Sequence, residues 1–563
     1  MKLPVNNSRF FTNLKSNKKN VFIIISILIL ITTGSFLRAY GLNKVYTEYD
    51  DIGVIAAHKS FIGSKTVNPI QKFINYPLTV DRDFVYSIEN TALLPFYIAY
   101  IWTYAPGQYV LLSVLNSEDD SFDTAVYKGR IISVIFSVAS IFLLVYLMYI
   151  INRKVLIWTI LVVTLLPIFS ANSILYAHHM SPYSAYVFSM SLGLVLLYKY
   201  SISNITFRRL IISLGFLFYL SWFTILFAFP VLTIYLSKVK SNCEFYSSKK
   251  YTGDFFSILI SIFITLPGLI ILETKSSTAG IMPPEINGIS SIIEIINHLI
   301  RQIFVSMKSI LFGFIRHDYL FISLFGIICF LSIRKLINYC KKTKKESGVY
   351  VFALLIIVCQ WVILHLFGSL PLDETRHVLV LLPVITLIIF YVVKDINLKN
   401  RNYKIFIGLI IFLASISSAI YSMDLLKSKY SNFDYNYLND RDEKVILLYK
   451  GTLGPLKYYE KSQKQVYFIE VNSFRNNYLD IDFPEKILLV GQRDRIINDG
   501  LYDKYQKDLP GLFCNYSIHT LYEKQSKTFF NYNNYPQDSD RNGMFVYQLR
   551  KTDVNQCKVS LEE

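Results

Sequence analysis

The sequence predicts a polytopic α-helical membrane protein that ends in a small α/β domain outside the membrane. Three observations predict it. Apolar runs recur from Val21 to about Tyr421, each near the length a helix needs to cross a bilayer. Hydrophobic residues make up 53% of the 563 residues and charged ones only 17%, against about 25% charged in a soluble protein. Lys and Arg gather in short connections at alternate ends of the apolar runs, the distribution that cytoplasmic loops impose.

About eleven spans follow from these runs, each close to bilayer length. They are Val21–Leu37, Ile131–Ile151, Leu156–Leu175, Tyr183–Leu197, Leu210–Trp222, Phe223–Leu236, Phe255–Leu272, Tyr319–Ile333, Val349–Leu366, Val378–Val393 and Ile405–Tyr421. No small-residue cleavage site follows the first, so it is expected to stay as a helix rather than leave as a signal peptide. Lys15, Lys18 and Lys19, then Arg153 and Lys154, then Lys199, Arg208 and Arg209 fall on one side. Lys238, Lys240, Lys249, Lys250, the run Arg334–Lys345 and the run Lys394–Lys404 join them. With the N-terminus cytoplasmic, this side is the inner one and the odd span count places the C-terminus outside.

The formal charge of +17 would suit nucleic acid if it formed a patch. Spread over short inner loops, it is a topology signal, and nucleic-acid binding is set aside. Three long stretches are left outside: residues 38–130, 273–318 and 427–563. The first holds short apolar pieces, Thr91–Trp102 and Gln108–Leu115, read as juxtamembrane helices lying in the interface. The chain thus divides into a membrane domain, residues 1–426, and an accessory domain, residues 427–563.

In the accessory domain, Lys444–Tyr449, Gln465–Glu470, Lys486–Val490, Ser517–Tyr522 and Met544–Leu549 have strand character. Gly454–Ser462 and Asp494–Lys507 read as helices among them, which implies a small sheet with flanking helices. There is no GxGxxG or phosphate-loop motif, so this domain is expected to shape the substrate rather than carry chemistry. Of the six cysteines, Cys329 and Cys359 lie in apolar runs and Cys243 and Cys340 in basic loops, with no CxxC pair. That speaks against a metal-thiolate site. Cys514 and Cys557 share the outer domain, where a disulfide and two free thiols are both open.

Chemistry points to Asp50 and Asp51, just beyond the first span in Arg38-Ala-Tyr-Gly-Leu-Asn-Lys-Val-Tyr-Thr-Glu-Tyr49-Asp50-Asp51. Two carboxylates at the mouth of a membrane helix are costly unless they face water and have work to do. Read from the residues alone, an Asp before Ile52-Gly-Val-Ile is a good helix N-cap. The other reading is a general base that takes the proton of an attacking hydroxyl, or a ligand of a divalent cation. Glu89 is a third carboxylate of this loop, open to capping or to the same cation. Arg82 and Arg130 are cations that suit a phosphate, or the acidic stretch Glu118-Asp119-Asp120.

These residues resemble the GT-C superfamily of membrane glycosyltransferases, in the branch of protein O-mannosyltransferases and lipid A aminoarabinose transferases. The likeness starts at the Arg…Gly-Leu…Tyr-Asp-acid run after the first span. Four further stretches follow in the family's order: Thr103-Tyr-Ala-Pro106-Gly-Gln-Tyr109, Arg130-Ile-Ile-Ser, Tyr176-Ala-His-His-Met-Ser-Pro182-Tyr183 and Glu374-Thr-Arg376-His377-Val-Leu-Val-Leu-Leu-Pro383. The resemblance covers roughly Arg38 to Tyr391 and leaves out the C-terminal domain.

The resemblance implies an inverting transfer of a sugar from a polyprenyl-phosphate donor at the outer face of a bacterial inner or plasma membrane. Asp50 maps to the base and Asp51, in place of the commoner Glu, to acceptor orientation or metal binding. Arg376, with His377, maps to the leaving phosphate, and Tyr104 is a further candidate in the juxtamembrane stretch. His178 and His179 depart from the family, which has acidic and basic groups in this element, and so put a family metal site in doubt. The resemblance fixes no cofactor; a divalent cation held by Asp50, Asp51 and Glu89 is left open. The acceptor, whether lipid A or lipopolysaccharide core, another envelope glycan or glycolipid, or a protein hydroxyl, is not written in these residues. A flippase for lipid-linked sugars is the main alternative. It is disfavoured because the span cores are almost free of Asp, Glu, Lys and Arg. A non-enzymatic membrane binding protein is the second alternative.

Overall fold

The computed structural model describes residues 18–42, 105, 107–115, 122–151, 157–180, 182–241, 252–266, 346–366, 379–395, 401–428, 441–443, 445–449, 465–469, 485–492, 516–526 and 542–552. They are mostly helical and fall into two compact units.

The helices, which fall in the first unit apart from residues 113–129 and 424–428, begin with α1 (Lys18–Ala39), α2 (Gly107–Leu115), α3 (Phe122–Ile151), α4 (Ile157–Phe169), α5 (Ala171–Ala177), α6 (Tyr183–Ser201) and α7 (Phe207–Phe218). A 3-10 turn, Trp222–Phe227, leads into α8 (Ala228–Ser241). Then come α9 (Thr252–Leu266), α10 (Glu346–Leu366), α11 (Leu382–Asp395) and α12 (Arg401–Ser428). Each expected span overlaps one of these helices except Tyr319–Ile333, which lies outside the described residues.

Among the described residues, two helices are long and apolar enough to cross a membrane, Val126–Ile151 and Trp222–Val239, or three if α4 and α5 form one bent span, and five other apolar helices are shorter. The segment Leu156–Leu175, expected as one continuous span, is instead broken and bent by 50°. Pro167 lies inside α4, and a proline there removes one backbone donor and crowds the preceding turn. The chain restarts at Ser170, whose side chain caps α5 by accepting from the Ser173 N–H.

The core of this unit surrounds α6, where Met190, Leu194 and Leu197 are fully buried. Gly193 lets Phe227 lie against the helix, since a Cβ there would meet its ring at 2.5 Å. Tyr350 of α10, also fully buried, donates to the Leu194 carbonyl at 3.1 Å. Outward, large apolar side chains stay exposed: Leu28, Ile29 and Phe36 on α1, and Phe255, Phe256 and Phe263 on α9. Apolar helices with such apolar outer surfaces fit a membrane protein. Cations collect where α6 ends: Lys199 lies over the Tyr146 ring at 5.2 Å, and Lys238 bonds Ser203 Oγ at 2.8 Å.

Among the described residues the second unit contains five strands: β1 (Val445–Tyr449), β2 (Gln465–Ile469), β3 (Lys486–Gln492), β4 (Tyr516–Ser526) and β5 (Asn542–Lys551). They form one mixed sheet in the order β2-β1-β3-β5-β4. The β1–β2 and β1–β3 pairs are parallel; β3–β5 and β4–β5 are antiparallel. Ile487, Leu488 and Leu489 of the central strand are all fully buried, so both faces of the sheet are covered there. All five expected strands are present. The expected helices Gly454–Ser462, Asp494–Lys507 and Thr91–Trp102 lie outside the described residues, as do Cys514 and Cys557.

Candidate active site

Four stretches that are far apart in sequence meet at one end of the helical unit: the end of α1, the start of α2, residues 130–137 of α3 and the α5–α6 turn. They coincide with four of the stretches singled out in the sequence.

Arg38 closes α1 and is fully buried. Its Nε donates to Ser137 Oγ of α3 at 2.8 Å. Nη1 donates to the Gly34 carbonyl at 2.9 Å and the Ile168 carbonyl at 2.8 Å. Nη2 donates to the Pro167 carbonyl and to Ser173 Oγ, both at 2.8 Å. All five guanidinium donors are used, and no acceptor is a carboxylate. Gly34 permits this approach, because a Cβ there would sit 2.7 Å from Ile168 Cγ2.

His178 ends α5 and is also fully buried. Its Nδ1 faces the Ile174 carbonyl at 2.9 Å, one of the orphan acceptors of a helix end. Its Nε2 faces the Tyr40 carbonyl at 3.0 Å. Burial pushes the imidazole below its ordinary pKa. The two carbonyls act the other way, while Arg130 and Arg38 add to the lowering. Both ring nitrogens thus face backbone carbonyls, which leaves neither directed at a metal ion.

His179 is buried and packs on Tyr176, ring centres 5.7 Å apart. Tyr176 continues to Tyr183 at 5.1 Å and Tyr183 to Tyr186 at 5.7 Å. The Tyr186 hydroxyl accepts from the Ala105 N–H at 3.4 Å. Gly107 donates to the Tyr219 carbonyl at 2.7 Å, and a Cβ at Gly107 would sit 2.6 Å from Leu220. Gln108 is buried and donates to the Met180 carbonyl at 2.6 Å and to Ser133 Oγ at 3.3 Å. Arg130, one turn before Ser133 on α3, is 1% exposed.

The arrangement concentrates positive charge. Two guanidinium groups are buried at one end of the unit, and an ion in a medium of low dielectric demands an anion or a dense shell of dipoles. Arg38 has its shell in backbone carbonyls and hydroxyls. Of the residues singled out in the sequence, Arg130, His178 and His179 meet here. Asp50, Asp51, Arg82, Glu89, Tyr104, Arg376 and His377 lie outside the described residues. Among the described residues no three His, Cys, Asp or Glu side chains stand together as metal ligands. The sequence reading includes Arg38 and Gln108 in two of these stretches but gives neither a role in the site. The available signal was an Arg directly after an apolar run, a position read as the start of a loop.

No protein-family model matches the chain, and no curated protein matches it. Among solved structures it is similar to ArnT from Cupriavidus metallidurans in the apo state, with TM-score 0.44 and 9% identity over 93% of this chain and 97% of that one. It is also similar to ArnT from the same organism bound to undecaprenyl phosphate, with TM-score 0.40 and 10% identity over the same shares.

Proposed function

We propose that the protein is an integral-membrane glycosyltransferase of the GT-C type, which moves a sugar from a polyprenyl-phosphate donor to a hydroxyl of an envelope glycan, glycolipid or protein. The observation that carries this reading is the meeting of the motif-bearing stretches at one helix end, with the Arg130 guanidinium among them. That is the environment a lipid phosphate at a membrane boundary calls for.

In this reading Asp50 takes the proton of the acceptor hydroxyl. The acceptor oxygen attacks the anomeric carbon, the bond from that carbon to the phosphate oxygen breaks with its electron pair going to that oxygen, and polyprenyl phosphate leaves carrying one more negative charge than it had in the donor, while the acceptor's proton stays on Asp50. Configuration inverts because attack and departure are on opposite faces. Arg376, His377, Arg130 and Arg82 are the groups assigned to the leaving phosphate, and Asp51 orients the acceptor. A divalent cation, if bound, would be held by Asp50, Asp51 and Glu89 and would add charge neutralisation. The C-terminal sheet serves as an outer accessory domain that shapes the acceptor side.

The test is transfer in proteoliposomes with radiolabelled polyprenyl-phosphate hexoses and pentoses and an envelope extract as acceptor. Asp50→Asn is expected to lower transfer by about 10²–10⁴, the usual contribution of a general base. Undiminished transfer by folded Asp50→Asn would remove Asp50 from the mechanism. Labelled lipid crossing the bilayer with its sugar–phosphate bond intact would favour a flippase.

A further inference from the structure

We infer that Arg38 is a positioning residue: its guanidinium splices the break between α4 and α5 to the end of α1 and so fixes where the chain leaves that helix toward Asp50. The inference rests on the reading above for its catalytic consequence, but the splice stands on geometry alone.

The break creates the need. In an unbroken helix the Pro167 carbonyl would accept from the Ala171 N–H four residues on. That N–H instead donates to Ser418 Oγ of α12 at 2.8 Å. The Pro167 carbonyl is left to Arg38 Nη2, and the next carbonyl, Ile168, to Nη1. Broken helices persist in an apolar medium only where such freed groups are satisfied again. One planar group does this for two successive carbonyls while holding Ser173 of α5 and Ser137 of α3. Ser137 and Ser173 also contact each other at 3.2 Å. The fork geometry matters, since lysine offers only three donors from one point.

Two residues beyond Arg38, the Tyr40 carbonyl meets His178 at the far end of α5. The short α5 is therefore pinned to the end of α1 at both of its ends, by Arg38 at Ser173 and by His178 at Tyr40. Asp50 follows Tyr40 by ten positions in the chain. A guanidinium with every donor engaged has none left for a phosphate, so Arg38 acts through other residues and not on the substrate.

The experiment uses the full chain in proteoliposomes and reads two quantities for Arg38→Lys: amide exchange over residues 171–177, and transfer kinetics with the labelled donors. Loss of charged hydrogen bonds is expected to speed exchange in this segment about tenfold or more, with the sheet unchanged. For transfer, kcat is expected to fall about tenfold or more while KM for the donor stays the same, since the side chain touches no substrate. Should Arg38→Lys fail to fold, Ser137→Ala with Ser173→Ala removes two of the five acceptors and is expected to give the same pattern, weakened. Wild-type exchange over 171–177 in the variants would overturn the splice. A raised KM with unchanged kcat would overturn the positioning role and indicate direct contact with the donor. If the wild type transfers none of the labelled sugars, faster exchange still upholds the splice and the failure falls on the glycosyltransferase reading.

Discussion

Gly34→Ala tests the close contact of α1 with the end of α4. The added Cβ would lie 2.7 Å from Ile168 Cγ2 and 3.3 Å from Arg38 Nη1. Neither neighbour has room to retreat, because Ile168 and Arg38 are both fully buried. Alanine gains about 1 kcal/mol over glycine inside a helix, whereas overpacking a close-packed site costs about 1–3 kcal/mol. With two rigid neighbours the clash wins, and a net loss of about 1–2 kcal/mol is expected. Removing the obstacle reverses the sign. In an Ile168→Ala background, itself costing about 2–5 kcal/mol, the nearest remaining atom of that residue is its Cβ at 3.6 Å. Gly34→Ala should then be neutral or slightly stabilising. The double-mutant cycle is thus expected to show a favourable coupling of about 2 kcal/mol, well above the noise of independent sites. Reversible unfolding in mixed detergent micelles, followed by tryptophan fluorescence, measures all four corners. Additive losses, or a Gly34→Ala protein as stable as wild type, would refute the close approach of α1 to α4.

Other expectations follow from single contacts. Ser418→Ala strands the buried Ala171 N–H at the helix break and should cost about 1–3 kcal/mol, while Ser418→Thr keeps the hydroxyl and most of the stability; the same micelle assay decides. His178 is held below its ordinary pKa chiefly by burial, so the unfolded chain takes up a proton first as pH falls below about 6.5. Stability should drop from there to the folded pKa and then level off, whereas His178→Gln should show a shallower decline between pH 7.5 and 5.5; parallel profiles would count against it. In the sheet, burial alone would raise the Glu443 pKa, but donation from Arg441 and Gln548 outweighs it and lowers it. Its contribution is present above about pH 4.3 and lost as pH falls through the lower folded value. Glu443→Gln should flatten that acid slope in the protection of β3 and β5 amides, and an unchanged slope would assign it elsewhere.

What the sequence revealed depended on how local the signal was. The strands were legible because each is a short β-rich run bounded by turn residues, as in Lys486-Ile-Leu-Leu-Val. Helices were legible from sheer apolarity. The break at Ser170 was not read, although Pro167 marks it, because a proline inside an apolar run is compatible with a kinked continuous span. Arg38 was misjudged for a different reason. Its burial depends on carbonyls about 130 residues away, freed by a bend that only the fold displays. The same holds for Gln108, whose partner carbonyl belongs to Met180.

The order of strands in the sheet has a consequence for synthesis. Among the described strands β5 is the last in sequence, yet it lies between β3 and β4, and β4 pairs with no other of them. As the polypeptide emerges, β1, β2 and β3 can pair among themselves while β4 waits with both edges bare. Only when residues 542–551 leave the ribosome does the sheet close. A stop codon shortly before Asn542 would therefore do more than trim a tail: it would leave β4 unpaired and open one edge of β3, offering raw edges to neighbouring chains.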